Sequence, residues 1–161
     1  EVRDGAVYWD VGAGTGSVSV ELALLAPRSQ VYAVEYKGEA CALIRANRER
    51  FGAYNLEVAE GRAPAALAEL PAPDGVFIGG SEGELIPILE AALSRNPAAR
   101  FCVTAIAVET LGVAVAAFTQ LEMSPQITQI TVARSRRAGE RNLMLGQNPV
   151  WIVTGQKEAL L

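Results

Sequence analysis

The chain has 161 residues, with 14 Lys+Arg against 18 Asp+Glu for a formal net charge of −4, and it contains no histidine. The missing imidazole excludes Ser-His and Cys-His nucleophile pairs, His-ligated zinc and a side-chain switch near neutral pH. Any acid or base is therefore Asp, Glu, Lys, Tyr, Cys or a cofactor. Half of the residues are hydrophobic and 20% are charged, the composition of a folded domain long enough to bury its own core. The acidic balance weighs against nucleic acid as a partner, and no apolar run reaches the ~20 residues of a membrane span. Cys41 and Cys102 sit in apolar company and read as buried thiols rather than a disulfide or metal site. The start Glu1-Val2-Arg3-Asp4 does not read as a signal peptide, so a cytoplasmic location is expected, with no metal.

Apolar runs alternate with helical patterns from the first residues to about Leu121, the rhythm of an α/β domain. A strand is predicted over residues 6–11, then the glycine-rich turn Gly12-Ala13-Gly14-Thr15-Gly16 and a helix from Ser17 to about Leu25. A second strand spans 30–34, and a helix over 39–51 places Ala40, Leu43, Ile44 and Phe51 on one face. Residues 56–59 read as a third strand and 75–78 as a fourth, closed by Gly79-Gly80. Leu85, Ile88, Leu89, Ala92 and Leu93 recur at spacings of three and four, marking the clearest helix. A fifth strand over 101–106 and a helix over 109–121 follow. Residues 127–133 and 150–154 are then predicted to pair antiparallel at the sheet edge, joined by an irregular Arg/Gly connection. The sum is a seven-stranded, mostly parallel sheet with helices on both faces, in a single domain over residues 1–161.

The turn Gly12-x-Gly14-x-Gly16 follows a buried strand and opens a helix, where backbone N–H groups approach a ligand. Its spacing meets the dinucleotide fingerprint imperfectly, since position 17 is Ser, and no Gly-Lys-Ser/Thr completes a P-loop. Glu35 ends the second strand 23 residues after Gly12, placed to accept both hydroxyls of a ribose. NAD and S-adenosylmethionine sites both use that arrangement. Asp10, two positions before the first glycine, favours the opening of a class I methyltransferase; an NAD-binding oxidoreductase and a catalytically silent nucleoside-binding domain stay open.

At this point the chain resembles a particular family, the decarboxylating precorrin or cobalt-precorrin carbon-15 methyltransferases of cobalamin biosynthesis. The resemblance rests on Trp9 to Ser19, Tyr32-Ala33-Val34-Glu35, Glu60-Gly61-Arg62-Ala63-Pro64, Pro73 to Ser81, Thr104 to Thr110 and Asn148-Pro149-Val150. It implies the class I, Rossmann-like fold, S-adenosylmethionine as donor with S-adenosylhomocysteine as product, a tetrapyrrole substrate and a homotetramer. It also leaves room for fusion behind a carbon-5 methyltransferase, as in precorrin-6Y C5,15-methyltransferases. Tyr36, Arg62 and Ala63 would flank the adenine, and Asp10, Gly12, Ala13, Gly14, Thr15, Gly16 and Glu35 complete the expected cofactor site.

For the reaction, Gly79, Gly80 and Ser81 lie at the carboxyl edge of the fourth strand, where two adjacent glycines let a flat macrocycle come close. Ser81, Gly80 and Glu109 are the candidate catalytic positions and Thr104 a further substrate contact. Arg134 and Arg136, in the connection between the last strands, suit the substrate's carboxylates. One departure stands out. The family carries a helix of several turns between its Glu-Val-Arg and Trp-Asp segments, yet Arg3 here is only six residues from Trp9. Loss of that helix is expected to uncover the first strand, which favours a sequence closed over an absent segment.

Overall fold

The structure, a computed structural model, describes residues 2–157. Residues 2–6 form a loop and turn that lead into β1 (Val7–Val11), with no helix between Arg3 and the strand. There follow α1 (Ser17–Leu25), β2 (Gln30–Glu35), α2 (Gly38–Phe51), β3 (Leu56–Glu60), β4 (Gly75–Ile78), α3 (Leu85–Arg95), β5 (Arg100–Ala105) and α4 (Val108–Gln120). The chain then adds β6 (Gln126–Ile130), β7 (Ala133–Ala138), β8 (Arg141–Gly146) and β9 (Val150–Gly155).

The seven-stranded sheet runs β3-β2-β1-β4-β5-β9-β6, parallel except that β9 pairs antiparallel with both β5 and β6. The chain reverses its direction of winding beside β1, so the carboxyl ends of β1 and β4 border the crevice where open α/β sheets take ligands. Near-continuous apolar strands demand cover on both faces. On one face α3 and α4 bury Trp9, Val76, Phe101 and Val153, with Phe101 and Phe118 edge to face at 6.4 Å. On the other, α1 and α2 close over Tyr8, Val31, Ala33 and Leu56.

Three expectations are corrected. In α2 the buried residues are Cys41 and Ile44, while Leu43 and Phe51 are exposed, because the helix presents only its Ile44 side to β2 and β3. The irregular connection after β6 is itself a hairpin: Gly139, at φ +61°, opens a two-residue turn between Ala138 and Arg141 and sets the register of β7 against β8. Ala133 starts that hairpin instead of ending β6. Finally, β1 is not uncovered without a preceding helix, since Trp9 is fully buried and Tyr8 is 7% exposed. The open area lies further along the same face, a groove of about 650 Å³ lined by Tyr8, Val18, Leu22, Phe77, Cys102 and Thr154.

Phe118 is fully buried, and its ring lies under Gly155, where an added Cβ would come within 2.7 Å of it. Phe118→Ala is expected to cost about 3–5 kcal/mol through lost transfer energy and the cavity left behind. Urea denaturation measures it, and an unchanged midpoint would contradict this packing.

Candidate functional site

The turn after β1 is built from glycines for separate reasons. Gly12, at φ +71°, lies against the loop after β4, and a Cβ there would meet the Gly80 nitrogen at 2.8 Å. Gly16, at φ +74°, lies against Ile44 of α2, whose Cγ1 would be 2.9 Å from an added Cβ. Gly14, at φ +55°, faces open space. The turn is pinned by Gly12 N–H and Ala13 N–H donating to the Val34 carbonyl at 3.0 and 3.2 Å. The exposed Thr15 receives Asn47 Nδ2 on its carbonyl at 3.0 Å.

Glu35 is 7% exposed, and its carboxylate is spoken for by backbone: Oε1 accepts from Tyr36 N–H at 2.9 Å and Lys37 N–H at 3.0 Å, and Oε2 from Gly14 N–H at 2.9 Å. A carboxylate has about four acceptor positions, so roughly one remains for a ligand hydroxyl. Acceptance of both ribose hydroxyls, as the sequence suggests, would require the Gly14 or Lys37 bond to be shared.

Asp10 sits at the buried end of β1, 1% exposed, and its Oδ2 accepts from the Ser19 hydroxyl while Oδ1 has no partner. Burial pushes its carboxyl up to about 6, the Ser19 hydrogen bond opposes that, and the Glu35 charge adds to it. Burial likewise raises the Cys41 and Cys102 thiols, which leaves both poor nucleophiles.

A cleft of about 670 Å³ opens at these strand ends. Of the residues singled out in the sequence, Gly12, Glu35, Tyr36, Arg62, Ala63, Gly80 and Ser81 line it. Asp10 lies beneath it, and Gly79 donates its N–H to the Val11 carbonyl at 3.0 Å, holding the β4 loop against β1. Ala13, Gly14, Thr15 and Gly16 continue the turn beyond Gly12 and are not in the lining, and four others stand apart from it on different elements. Thr104 donates to the Ile78 carbonyl at 3.4 Å, and Glu109 is exposed in the first turn of α4. Arg134 and Arg136 are exposed on β7, opposite Leu145 and Leu143. Sequence reasoning missed Lys37, Gly61, Glu82 and Ile88, which also border the cleft. The signal for Glu82 was available as an acid inside the Gly80-to-Gly83 turn. Among the described residues, no group of three or more His, Cys, Asp or Glu side chains is placed to hold a metal, and no helix is long and apolar enough to cross a membrane.

Residues 1–157 match the family model described as the precorrin methyltransferase domain. The chain belongs to that family. A probable cobalt-precorrin-6B C(15)-methyltransferase (decarboxylating) of Pyrobaculum calidifontis is 44% identical over 155 residues, spanning 95% of this chain and 80% of the relative. A precorrin-6Y C(5,15)-methyltransferase [decarboxylating] of Sinorhizobium is 38% identical over 94% of this chain, which corresponds to 36% of that longer protein. The crystal structure of precorrin-6Y C5,15-methyltransferase from Geobacter metallireducens superposes with a TM-score of 0.91 at 34% identity, covering 98% of this chain and 82% of the other. Family membership decides between the readings of the glycine-rich turn. The chain is a methyltransferase of the S-adenosylmethionine-dependent class, with the class I, Rossmann-like fold.

The residues present fit that cofactor: the fixed Glu35 acceptor borders the cleft, Gly14 leaves space a side chain would fill, and the orphaned Asp10 oxygen lies below. The Asp10 environment also has a measurable consequence. Its folded pKa, about 6, exceeds the ordinary 3.8, so the native state holds more protons and stability falls as pH rises through that window. Asp10→Asn has no such titration. Its stability relative to the native chain is expected to rise by about 2 kcal/mol from pH 4 to pH 7, read by denaturant titration at each pH. A flat difference would show that folding leaves the Asp10 carboxyl at its ordinary pKa.

Proposed function

We propose that this chain methylates carbon 15 of a precorrin or cobalt-precorrin, with loss of CO₂ from the ring C acetate, in cobalamin biosynthesis. The observation that carries the reading is the juxtaposition of a buried, backbone-held Glu35 with the Gly79-Gly80-Ser81 loop across one cleft, in a chain of this family. The names of the relatives supply the substrate class. We read residues 1–161 as one methyltransferase domain, alone or joined to a further one.

S-adenosylmethionine supplies a methyl group already activated by its sulfonium charge, so the protein's work is alignment and electrostatics. Glu35 holds a ribose hydroxyl, the backbone of the Gly12–Gly16 turn borders the amino-acid portion, and Tyr36 and Ala63 flank the adenine. Gly79 and Gly80 admit a flat ring to the cleft edge, and the Ser81 hydroxyl donates to one of its carboxylates. Thr104 and Glu109 sit on the β5 side of the same edge and meet the outer part of a macrocycle. Arg134 and Arg136 offer guanidinium forks to its acetate and propionate groups. No step calls for an imidazole.

We also propose a homotetramer held by the β7–β8 hairpins. Both strands are exposed throughout and present Leu143, Met144 and Leu145, and a lone two-stranded hairpin is marginal in water. The buried or half-buried free thiols fit a reducing cytoplasm.

Titration calorimetry is expected to show S-adenosylhomocysteine binding that Glu35→Ala weakens by about tenfold or more, one lost charge-assisted hydrogen bond being worth about 1.5–3 kcal/mol; equal affinity in the variant would refute the ribose assignment. Incubation with donor and precorrin-6Y or cobalt-precorrin-6B should give a product that has gained a methyl and lost CO₂. Mass spectrometry showing neither change would favour a nucleoside-binding domain without catalysis. Sedimentation velocity should give a four-chain species that Leu143→Glu dissociates.

A further inference from the structure

Three side chains meet on the rim of the cleft. The Arg62 guanidinium lies 3.7 Å from the centroid of the Tyr36 ring and pairs with the Glu82 carboxylate. The three come from different loops: Tyr36 follows β2, Arg62 follows β3 and Glu82 follows β4. In the order β3-β2-β1-β4, the Arg62–Glu82 pair therefore spans the ends of the two strands that carry the glycine-rich turn and Glu35. At ~4.8 Å per strand the loops it joins start roughly 14 Å apart.

We propose that Glu82 is a positioning residue for the nucleoside, strapping the loop after β4 to the Tyr36–Arg62 stack across the mouth of the cleft. This rests on the cofactor reading above and adds a residue and a role to it. Glu82 holds a left-handed backbone, φ +49°, uncommon for a residue with a side chain, and Gly83 follows at φ +93°. The turn is closed by Glu84 N–H donating to the Ser81 carbonyl at 2.8 Å. That turn carries Gly80 and Ser81, so the strap that closes the adenine end also sets the loop at the end where the methyl is transferred.

An isolated surface ion pair contributes little, because two mobile side chains must be ordered in water. Here the guanidinium is held from two sides. The ring of Tyr36 orients the planar guanidinium by its face, leaving its edge for the Glu82 carboxylate. Lys37, beside Tyr36, adds a further positive charge facing Glu82. On this reading a bound nucleoside leaves past the strap, so breaking it speeds release more than it slows entry.

Stopped-flow measurement of S-adenosylhomocysteine tests the role in the intact chain. Glu82→Ala should raise the dissociation rate roughly three- to tenfold, with Glu82→Gln, which keeps a neutral acceptor for Arg62, in between and Glu82→Asp nearest the native rate. Added salt should speed release from the native chain and leave Glu82→Ala unaffected. Arg62→Met should speed release less in the Glu82→Ala background than alone. Far-UV circular dichroism and thermal midpoints keep folding separate, since Glu82 and Arg62 are exposed. Native release rates in both Glu82→Ala and Glu82→Gln, or additive effects of Arg62→Met, would overturn the strap while leaving the cofactor reading standing. A native chain that does not bind S-adenosylhomocysteine would end both.

Discussion

The Glu35 carboxylate is the constraint on which the site depends. It ends β2, is nearly buried, and takes N–H donors from Gly14 on one side and from Tyr36 and Lys37 on the other. A buried carboxylate needs such donors, and the donors need an acceptor, so satisfying one side settles the other. The loops after β1 and β2 are thereby locked before any ligand arrives. On the proposed reading, a cofactor meets an acceptor whose direction is already set, which avoids ordering it at the moment of binding.

The second constraint is the close approach of two backbones. Gly12 lies against Gly80, and Gly79 N–H reaches back to the Val11 carbonyl at 3.0 Å, so the loops after β1 and β4 are pressed together at the switch in winding. The same contact that makes the cofactor cleft narrow also sets the place of Ser81 and Glu82. A side chain at position 12 would have to push the β4 loop outward, which couples the first glycine to the far side of the cleft.

Cover on the sheet is uneven, and physical consequences follow from that. The face under α3 and α4 carries the large core, whereas α1 and α2 reach only β1, β2 and β3 on the opposite face. β1 stays buried because its neighbours and α1 enclose Tyr8, but Phe77, Cys102 and Thr154 border a groove. The helix that the family resemblance places before β1 has no counterpart between Arg3 and Val7.

Much was legible in the chain order. The succession of strands and helices, the antiparallel end and the glycine-rich turn follow from alternation of apolar runs and helical periods, which are local and strongly patterned. Asp10 and Glu35 were legible as acids at strand ends, although their different surroundings were not. Asp10 pays for burial with a raised pKa and one empty acceptor, and Glu35 gathers three backbone donors. Leu43 and Phe51 were misread because an apolar helical stripe shows a period but not which part of it meets the sheet. The hairpin was missed because its strands carry arginines at positions where a half-buried strand would alternate cleanly, and only the cross-strand register with Gly139 reveals it. By itself, then, the sequence determined the α/β architecture and the family and marked Asp10 and Glu35 as acids at strand ends, since these are written in spacing along one chain. The tertiary structure alone decided that Thr104, Glu109, Arg134 and Arg136 stand outside the cleft lining and that Glu82 pairs with Arg62, which stacks on Tyr36. Those relations depend on which loop ends the sheet order brings side by side, a distance that separation along the chain does not encode.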